Sequence, residues 1–245
     1  MTARRVLLWR HGRTAWNIER RFQGQADPPL DAVGRRQAEA AADELVAYAP
    51  VAVVSSDLVR AVDTARPLVD RLGLPLGLDR RLRERSLGHW EGLTRDEVGR
   101  LYPEDFAHWL AGREDCQAGS EPREQLADRA AAAVANTVGE TVVLVTHSAT
   151  AIALTGRLLG LPLSSWRAIG PLGNCRWSEL RLDEHGWRLR AHNLASVRAA
   201  GGAIGPDRRV GTPAEVPADS AGEVPAEDPA DVEALDAGPA GTPVG

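Results

Sequence analysis

The sequence predicts an α/β fold: a three-layer α/β/α sandwich around a mostly parallel central sheet. Three observations predict it. Short apolar runs recur along the chain, Ala-rich segments of helical length separate them, and three of the runs end in polar residues of catalytic type. The first run is residues 6–9, Val-Leu-Leu-Trp, and the second is residues 51–55, Val-Ala-Val-Val-Ser. The third is residues 141–146, Thr-Val-Val-Leu-Val-Thr. Residues 176–182 form a fourth, and residues 187–192 pair with it across a turn at 183–186. Helices are expected over 34–48, Ala-rich and apolar on one face, and over 60–72, 123–138 and 149–159. Short helices between 94 and 109 form an insertion, spanning about 94–120 in all, placed as a lid over one end of the sheet.

Composition bounds the rest. The chain has 245 residues, 43% of them hydrophobic, enough for a sizeable core in one large domain over residues 1–200. Cys116 and Cys175 give neither a metal spacing nor a disulfide framework, which fits a reducing, cytoplasmic setting. No apolar run approaches the ~18 residues of a membrane helix, and the N-terminal apolar stretch is too short for a secretory leader. The net charge of −5 is concentrated after residue 200. There, nine acidic and two basic residues accompany seven prolines and no aromatic, so residues 201–245 are expected to form a disordered acidic tail. The remainder is nearly neutral, without a basic stripe for nucleic acid. All 29 basic residues are Arg, a bias that fits a GC-rich genome rather than a function.

The chemistry gathers at strand ends. The first run leads into Arg10-His11-Gly12, the second into Ser55-Ser56-Asp57-Leu58-Val59-Arg60, and the third into His147-Ser148. The C-terminal ends of parallel strands converge on one crevice. Two histidines and two arginines would therefore meet there, and the planar guanidinium fork suits a phosphate group. A further loop, Leu82-Arg83-Glu84-Arg85-Ser86-Leu87-Gly88-His89-Trp90-Glu91-Gly92, brings Glu84 as a candidate acid; a solvated loop carboxylate, or pairing with Arg83 or Arg85, is the alternative. His89 and His108 are expected at the surface or in the insertion, and Trp90, Trp109 and Trp166 in packing.

These motifs resemble the histidine phosphatase superfamily, the phosphoglycerate mutase-like fold. The resemblance runs through Arg10-His11-Gly12-Arg13-Thr14-Ala15-Trp16-Asn17, Phe22-Gln23-Gly24-Gln25, Asp31-x-x-Gly34 and Gln37-Ala38. It continues in residues 55–65, in Arg83-Glu84 through Trp90-Glu91-Gly92, and in Val145-Thr146-His147, covering about residues 4–195. It implies His11 as a nucleophile that forms a phosphohistidine, with its second ring nitrogen protonated against a backbone carbonyl. Arg10, Arg60 and His147 would hold the phosphoryl oxygens, and Glu84 would be proton donor and then acceptor. Asn17, Gln23, Gly24 and Ser148 would be further substrate contacts. No metal or other cofactor is implied, since fixed Arg and His charges stand in for one. Ser148 departs from the usual Gly after the second histidine and bears on pocket size.

The superfamily contains both mutases and phosphatases. The stretch after Glu91-Gly92 is short and lacks the Tyr-Gly and Pro-Pro-Pro elements of cofactor-dependent phosphoglycerate mutases, which favours a phosphatase. Residues 55–65, 81–94, 170–177 and 187–193 are most similar to the actinobacterial glucosyl-3-phosphoglycerate phosphatases. The expected partner is a small phosphate ester, with no nucleic acid and no membrane. A broad-specificity phosphatase, a mutase and a non-catalytic phosphate-binding module remain as alternatives. A homodimer through the C-terminal hairpin is an expectation by analogy.

Overall fold

The structure, a computed structural model, describes residues 3–113 and 119–196. The elements in chain order are β1 (Arg5–Arg10), α1 (Ala15–Ile18), α2 (Ala32–Leu45), β2 (Ala52–Ser55), α3 (Val59–Leu72) and β3 (Leu76–Leu78). They continue as α4 (Arg95–Leu101), α5 (Pro103–Leu110), α6 (Arg123–Asn136), β4 (Thr141–Thr146), α7 (Ser148–Leu158), β5 (Trp177–Asp183) and β6 (Gly186–Leu194). Six strands form one sheet in the order β3-β2-β4-β1-β5-β6. The four strands from β3 to β1 are mutually parallel, and β5 and β6 extend the sheet antiparallel at one side.

Successive side chains of a strand point to opposite faces, and β1 uses both. Leu7 and Trp9 pack with Ala38, Ala41, Leu45, Ala61 and Leu68 of α2 and α3. Val6 and Leu8 pack with Ala130, Ala133, Val134 and Leu154 of α6 and α7. All six residues of β4 are buried, as a parallel strand covered on both faces requires. The continuous apolar runs thus reflect burial on two sides.

Boundaries moved where caps decide them. α2 begins at Ala32 rather than 34, because Asp31 Oδ1 accepts the Gly34 N–H at 2.7 Å. It ends at Leu45, and the rest of the expected helix is a 3₁₀ turn at Val46–Tyr48. α7 starts at Ser148 with His147 as its N-cap, so Ser148 is the first helical residue and not the cap. β3 was not expected. Its three residues follow Pro75, contain Gly77 and sit at the sheet edge with Leu78 59% exposed, too short and too punctuated for a period to show. The four-residue α1 leaves no pattern in the sequence, since one turn held by the Thr14/Asn17 capping box has no apolar stripe. In the insertion, Phe106 and Trp109 of α5 pack on Trp90 and Phe22. The expected tail over 201–245, and Cys116, lie outside the described residues.

Leu144 is fully buried in the central strand β4. Leu144→Ala is expected to lower the unfolding free energy by about 3 kcal/mol in urea titrations, through lost transfer energy plus a cavity.

Candidate active site

The parallel register brings three strand ends level: Arg10 pairs with Thr146, and Ser55 with Val145. The ladder then continues one residue further, with the His11 N–H donating to the Thr146 carbonyl at 3.0 Å. The His11 carbonyl accepts from the Cys175 N–H and from Asn174 Nδ2, each at 3.2 Å. Gly12 N–H donates to Thr64 Oγ1 at 2.9 Å, and that hydroxyl donates to the Arg60 carbonyl at 2.7 Å. A Cβ on Gly12 would lie 2.6 Å from the Gly34 carbonyl oxygen, so only glycine permits this approach of the two backbones. The Asp31 and Gln37 motif positions have the same purpose. Asp31 pairs with Arg13 at 2.8 Å, and Gln37 Oε1 accepts the Arg13 N–H at 3.0 Å.

His11 is buried, and its Nδ1 lies 2.7 Å from the Gly12 carbonyl oxygen. A carbonyl only accepts, so Nδ1 carries the proton and Nε2 keeps its lone pair. Burial, then the Arg60 and Arg10 guanidinium charges, hold the His11 pKa well below the ordinary imidazole range, and the Gly12 bond opposes this only in part. The ring centroid of His147 is 5.2 Å away. Its Nε2 lies 2.9 Å from Ser56 Oγ, and its Nδ1 is buried without a protein partner. Burial, followed by Arg60, His11, Arg10 and Arg129, keeps His147 neutral as well.

Arg60 is fully buried at the start of α3. Its terminal nitrogens donate to the carbonyls of Ala26 at 2.6 Å and Gly24 at 2.8 Å, and its Nε has no protein partner. Burial pushes its pKa down to about 10, which leaves it a cation at neutral pH. Arg10 donates to the Leu172 carbonyl. Gly24 sits at φ +47°, where a Cβ would meet the Glu91 carboxylate at 2.2 Å, so glycine is required there too. Glu91 itself organises the loops, accepting from the N–H groups of Gln25 at 3.0 Å and Leu87 at 2.9 Å.

Glu84 does not pair with the side chain of Arg83 or Arg85. Arg83 is turned away to a two-pronged bond with Asp57, 2.7 Å on each side, and this holds the Asp57 pKa below the usual carboxylate range. The Glu84 carboxylate instead meets the first turn of α7: Oε2 accepts the Ala149 N–H at 3.2 Å, and Oε1 accepts the Thr150 N–H at 3.1 Å. It thus caps donors that a helix start otherwise leaves orphaned.

Arg10, His11, Asn17, Gln23, Gly24, Arg60, Glu84 and Ser148 line one cleft of about 180 Å³. His147 stands behind His11, outside that lining. Asn17 also caps, its Oδ1 accepting the Thr14 N–H at 3.0 Å. Four more arginines line the cleft, Arg20, Arg21, Arg85 and Arg95. No motif in the sequence marks Arg20, Arg21 or Arg95, and Arg85 stands out there only as a neighbour of Glu84. Arg20 held one further signal only in the structure, a φ of +54°. Among the described residues, the cleft lining holds six arginines and the Glu84 carboxylate, donors of the kind that bind an anion. Trp90 and Trp166 are buried in packing, and His89 is exposed. Among the described residues, no group of three or more His, Cys, Asp and Glu side chains is placed to hold a metal ion, and no helix is long and apolar enough to cross a membrane.

Fold and site together define an α/β protein with a neutral histidine in an arginine-lined cleft at the ends of its parallel strands. The profile of the histidine phosphatase superfamily (branch 1) matches residues 6–195, and the chain belongs to that superfamily. It is 41% identical over 191 residues to a glucosyl-3-phosphoglycerate phosphatase of Mycolicibacterium vanbaalenii, covering 74% of this chain and 85% of the relative. It is 40% identical over 216 residues to the protein of that name from Mycobacterium tuberculosis, covering 80% of this chain and 97% of the relative. A solved structure of mycobacterial glucosyl-3-phosphoglycerate phosphatase with VO3 superposes with a TM-score of 0.72 at 39% identity, covering 78% of this chain and all of that one. The chain is accordingly a phosphatase in the phosphoglycerate mutase-like fold.

Both buried histidines bind fewer protons in the folded state than in the unfolded chain, where the pKa is about 6.5. Unfolding therefore takes up protons as pH falls below that value, and stability must fall with it. For two such groups the slope approaches at most about 2.7 kcal/mol per pH unit. Denaturant titrations from pH 7.5 to 5 should show the loss beginning near 6.5, and His147→Gln should flatten the slope.

Proposed function

We propose that this phosphatase hydrolyses a small phosphorylated metabolite through a phosphohistidine on His11, without a metal ion. One observation carries the reading: His11 lines an arginine-rich cleft as a neutral ring whose Nδ1 is committed to the Gly12 carbonyl. Its Nε2 lone pair attacks phosphorus, and the bond from phosphorus to the ester oxygen breaks. Glu84 delivers a proton to the leaving alkoxide. The ring then bears a positive charge with Nδ1–H still on Gly12, which makes it a good leaving group for the second step. Glu84, now a carboxylate, takes a proton from water as the water oxygen attacks phosphorus. The P–N bond breaks, and its electrons return to Nε2.

Arg10 and Arg60 stabilise the transferring phosphoryl oxygens from the cleft wall, and His147, behind His11, adds its buried Nδ1, the ring nitrogen that Ser56 does not engage. The carbonyl bonds that fix Arg60 aim its remaining donors before substrate arrives, so little reorganisation is needed during transfer. Asn17, Gln23, Gly24 and Ser148 shape the phosphate end of the cleft. Ser148 adds a hydroxyl where the superfamily commonly has none. The described part of the insertion, residues 94–113 and 119–120, acts as a lid from which Arg95 reaches the cleft, within a single domain.

For the substrate, we take glucosyl-3-phosphoglycerate as the first candidate. The support is the naming of relatives at about 40% identity. The charge pattern of the first 200 residues argues against nucleic acid, and the site's expected home is the cytoplasm.

Hydrolysis of 4-nitrophenyl phosphate in excess EDTA should proceed with the wild type and fall at least about 1000-fold in His11→Ala, as loss of a covalent nucleophile does. Turnover that survives in the variant would remove His11 from its role. In a panel of phosphate esters, glucosyl-3-phosphoglycerate should have the highest kcat/KM, and comparable values across the panel would show a broad-specificity enzyme instead.

A further inference from the structure

We infer that Thr150 is a positioning residue for the proton transfer by Glu84, acting through a hydroxyl shared between the Glu84 carboxylate and the Arg83 carbonyl. This rests on the assignment of Glu84 as the proton donor. Thr150 is fully buried in the first turn of α7. Its Oγ1 lies 3.0 Å from Glu84 Oε1 and 2.9 Å from the Arg83 carbonyl oxygen. A hydroxyl has one hydrogen, so it donates to one of these at a time.

The other donors on Glu84 cannot turn. Arg85 N–H at 2.9 Å and Thr150 N–H at 3.1 Å both reach Oε1, and Ala149 N–H at 3.2 Å reaches Oε2. Oε1 therefore carries three donors when Thr150 points to it, against one on Oε2. A carboxylate oxygen crowded by donors is a poor place for a proton, so the proton is carried on Oε2. With Glu84 ionised, the Thr150 hydroxyl donates to Oε1. With Glu84 protonated, Oε1 is a weaker acceptor, and the same hydroxyl swings to the Arg83 carbonyl. It follows the charge of the acid through the catalytic cycle, which fixed backbone donors cannot do.

The loop around Glu84 is independently secured. Arg129 donates to the carbonyls of Arg81 at 2.6 Å, Arg83 at 2.7 Å and Glu84 at 2.9 Å, while its other donors hold Glu121. Without the Thr150 hydroxyl, the Arg83 carbonyl keeps Arg129 and Glu84 Oε1 keeps two N–H groups. Thr150→Val, of matched shape, thus orphans no buried group and leaves the loop in place.

The test is kcat/KM on 2,4-dinitrophenyl, 4-nitrophenyl and phenyl phosphate, three esters of similar shape with progressively poorer leaving groups. These values report the first chemical step, where a proton donor matters only for a poor leaving group. Thr150→Val should lose about 10-fold on phenyl phosphate, in line with a hydrogen bond to a charged group, and less than about 2-fold on 2,4-dinitrophenyl phosphate. Thr150→Ser should follow the wild type, and Thr150→Ala should repeat the Val pattern, so that packing at this site does not decide the result. Glu84→Gln should show the same split, larger. A uniform loss across the series in both Val and Ala variants, or none, would overturn the role of Thr150 while leaving Glu84 as the acid. A Glu84→Gln variant without the split would overturn the assignment of Glu84 itself.

Discussion

The hydrogen bond between His11 Nδ1 and the Gly12 carbonyl is the constraint around which the site is built. It fixes which ring nitrogen can react, and it works only if the backbone at Gly12 is held still. Every group near it contributes to that. Thr146 and Cys175 hold the two sides of the His11 peptide, Thr64 holds the Gly12 N–H, and Gly34 presses against Gly12 from α2. The contacts come from β4, the loop before β5, α3 and α2. The nucleophile is therefore positioned by the whole sandwich, as sites on rigid elements are.

Electrostatics and burial act together on the same ring. A cleft lined by six arginines attracts phosphate, and it also disfavours a second positive charge on His11. The histidine stays neutral, with its lone pair available, first because it is buried and then because Arg60 and Arg10, which bind the anion, stand beside it. The cost is borne as pH falls, when two buried histidines resist protons that the unfolded chain accepts. Glu84 sits in a different setting, against the N-terminal turn of α7, where backbone donors orient it.

Much of this could be read from the chain. The apolar runs before Arg10 and His147 are buried on both faces and the shorter run before Ser55 is buried on one face and half-buried on the other, so all three read as apolar, and their ends carry the polar residues that a crevice would collect. Other features were hidden for physical reasons. Strand order depends on which helices cross which face, so nothing local reveals that β4 lies between β1 and β2. β3 is short and half-exposed, and it leaves no period. Asp31, Gln37 and Glu91 are conspicuous motif positions, yet their task is to hold backbone, which emerges only from their partners. Thr150 is the converse case: an ordinary residue at a helix start whose importance lies in two acceptors brought from a distant loop.

The central claim is that His11 reacts through Nε2 because Nδ1 is held by Gly12. The most direct measurement is 31P NMR of the phosphoenzyme, trapped by rapid alkaline denaturation during turnover, since phosphorus on the two ring nitrogens gives distinct signals. The account predicts a single phosphohistidine at position 11 with phosphorus on Nε2, absent in His11→Ala. A phosphohistidine with phosphorus on Nδ1, or one that persists in the variant, would contradict it.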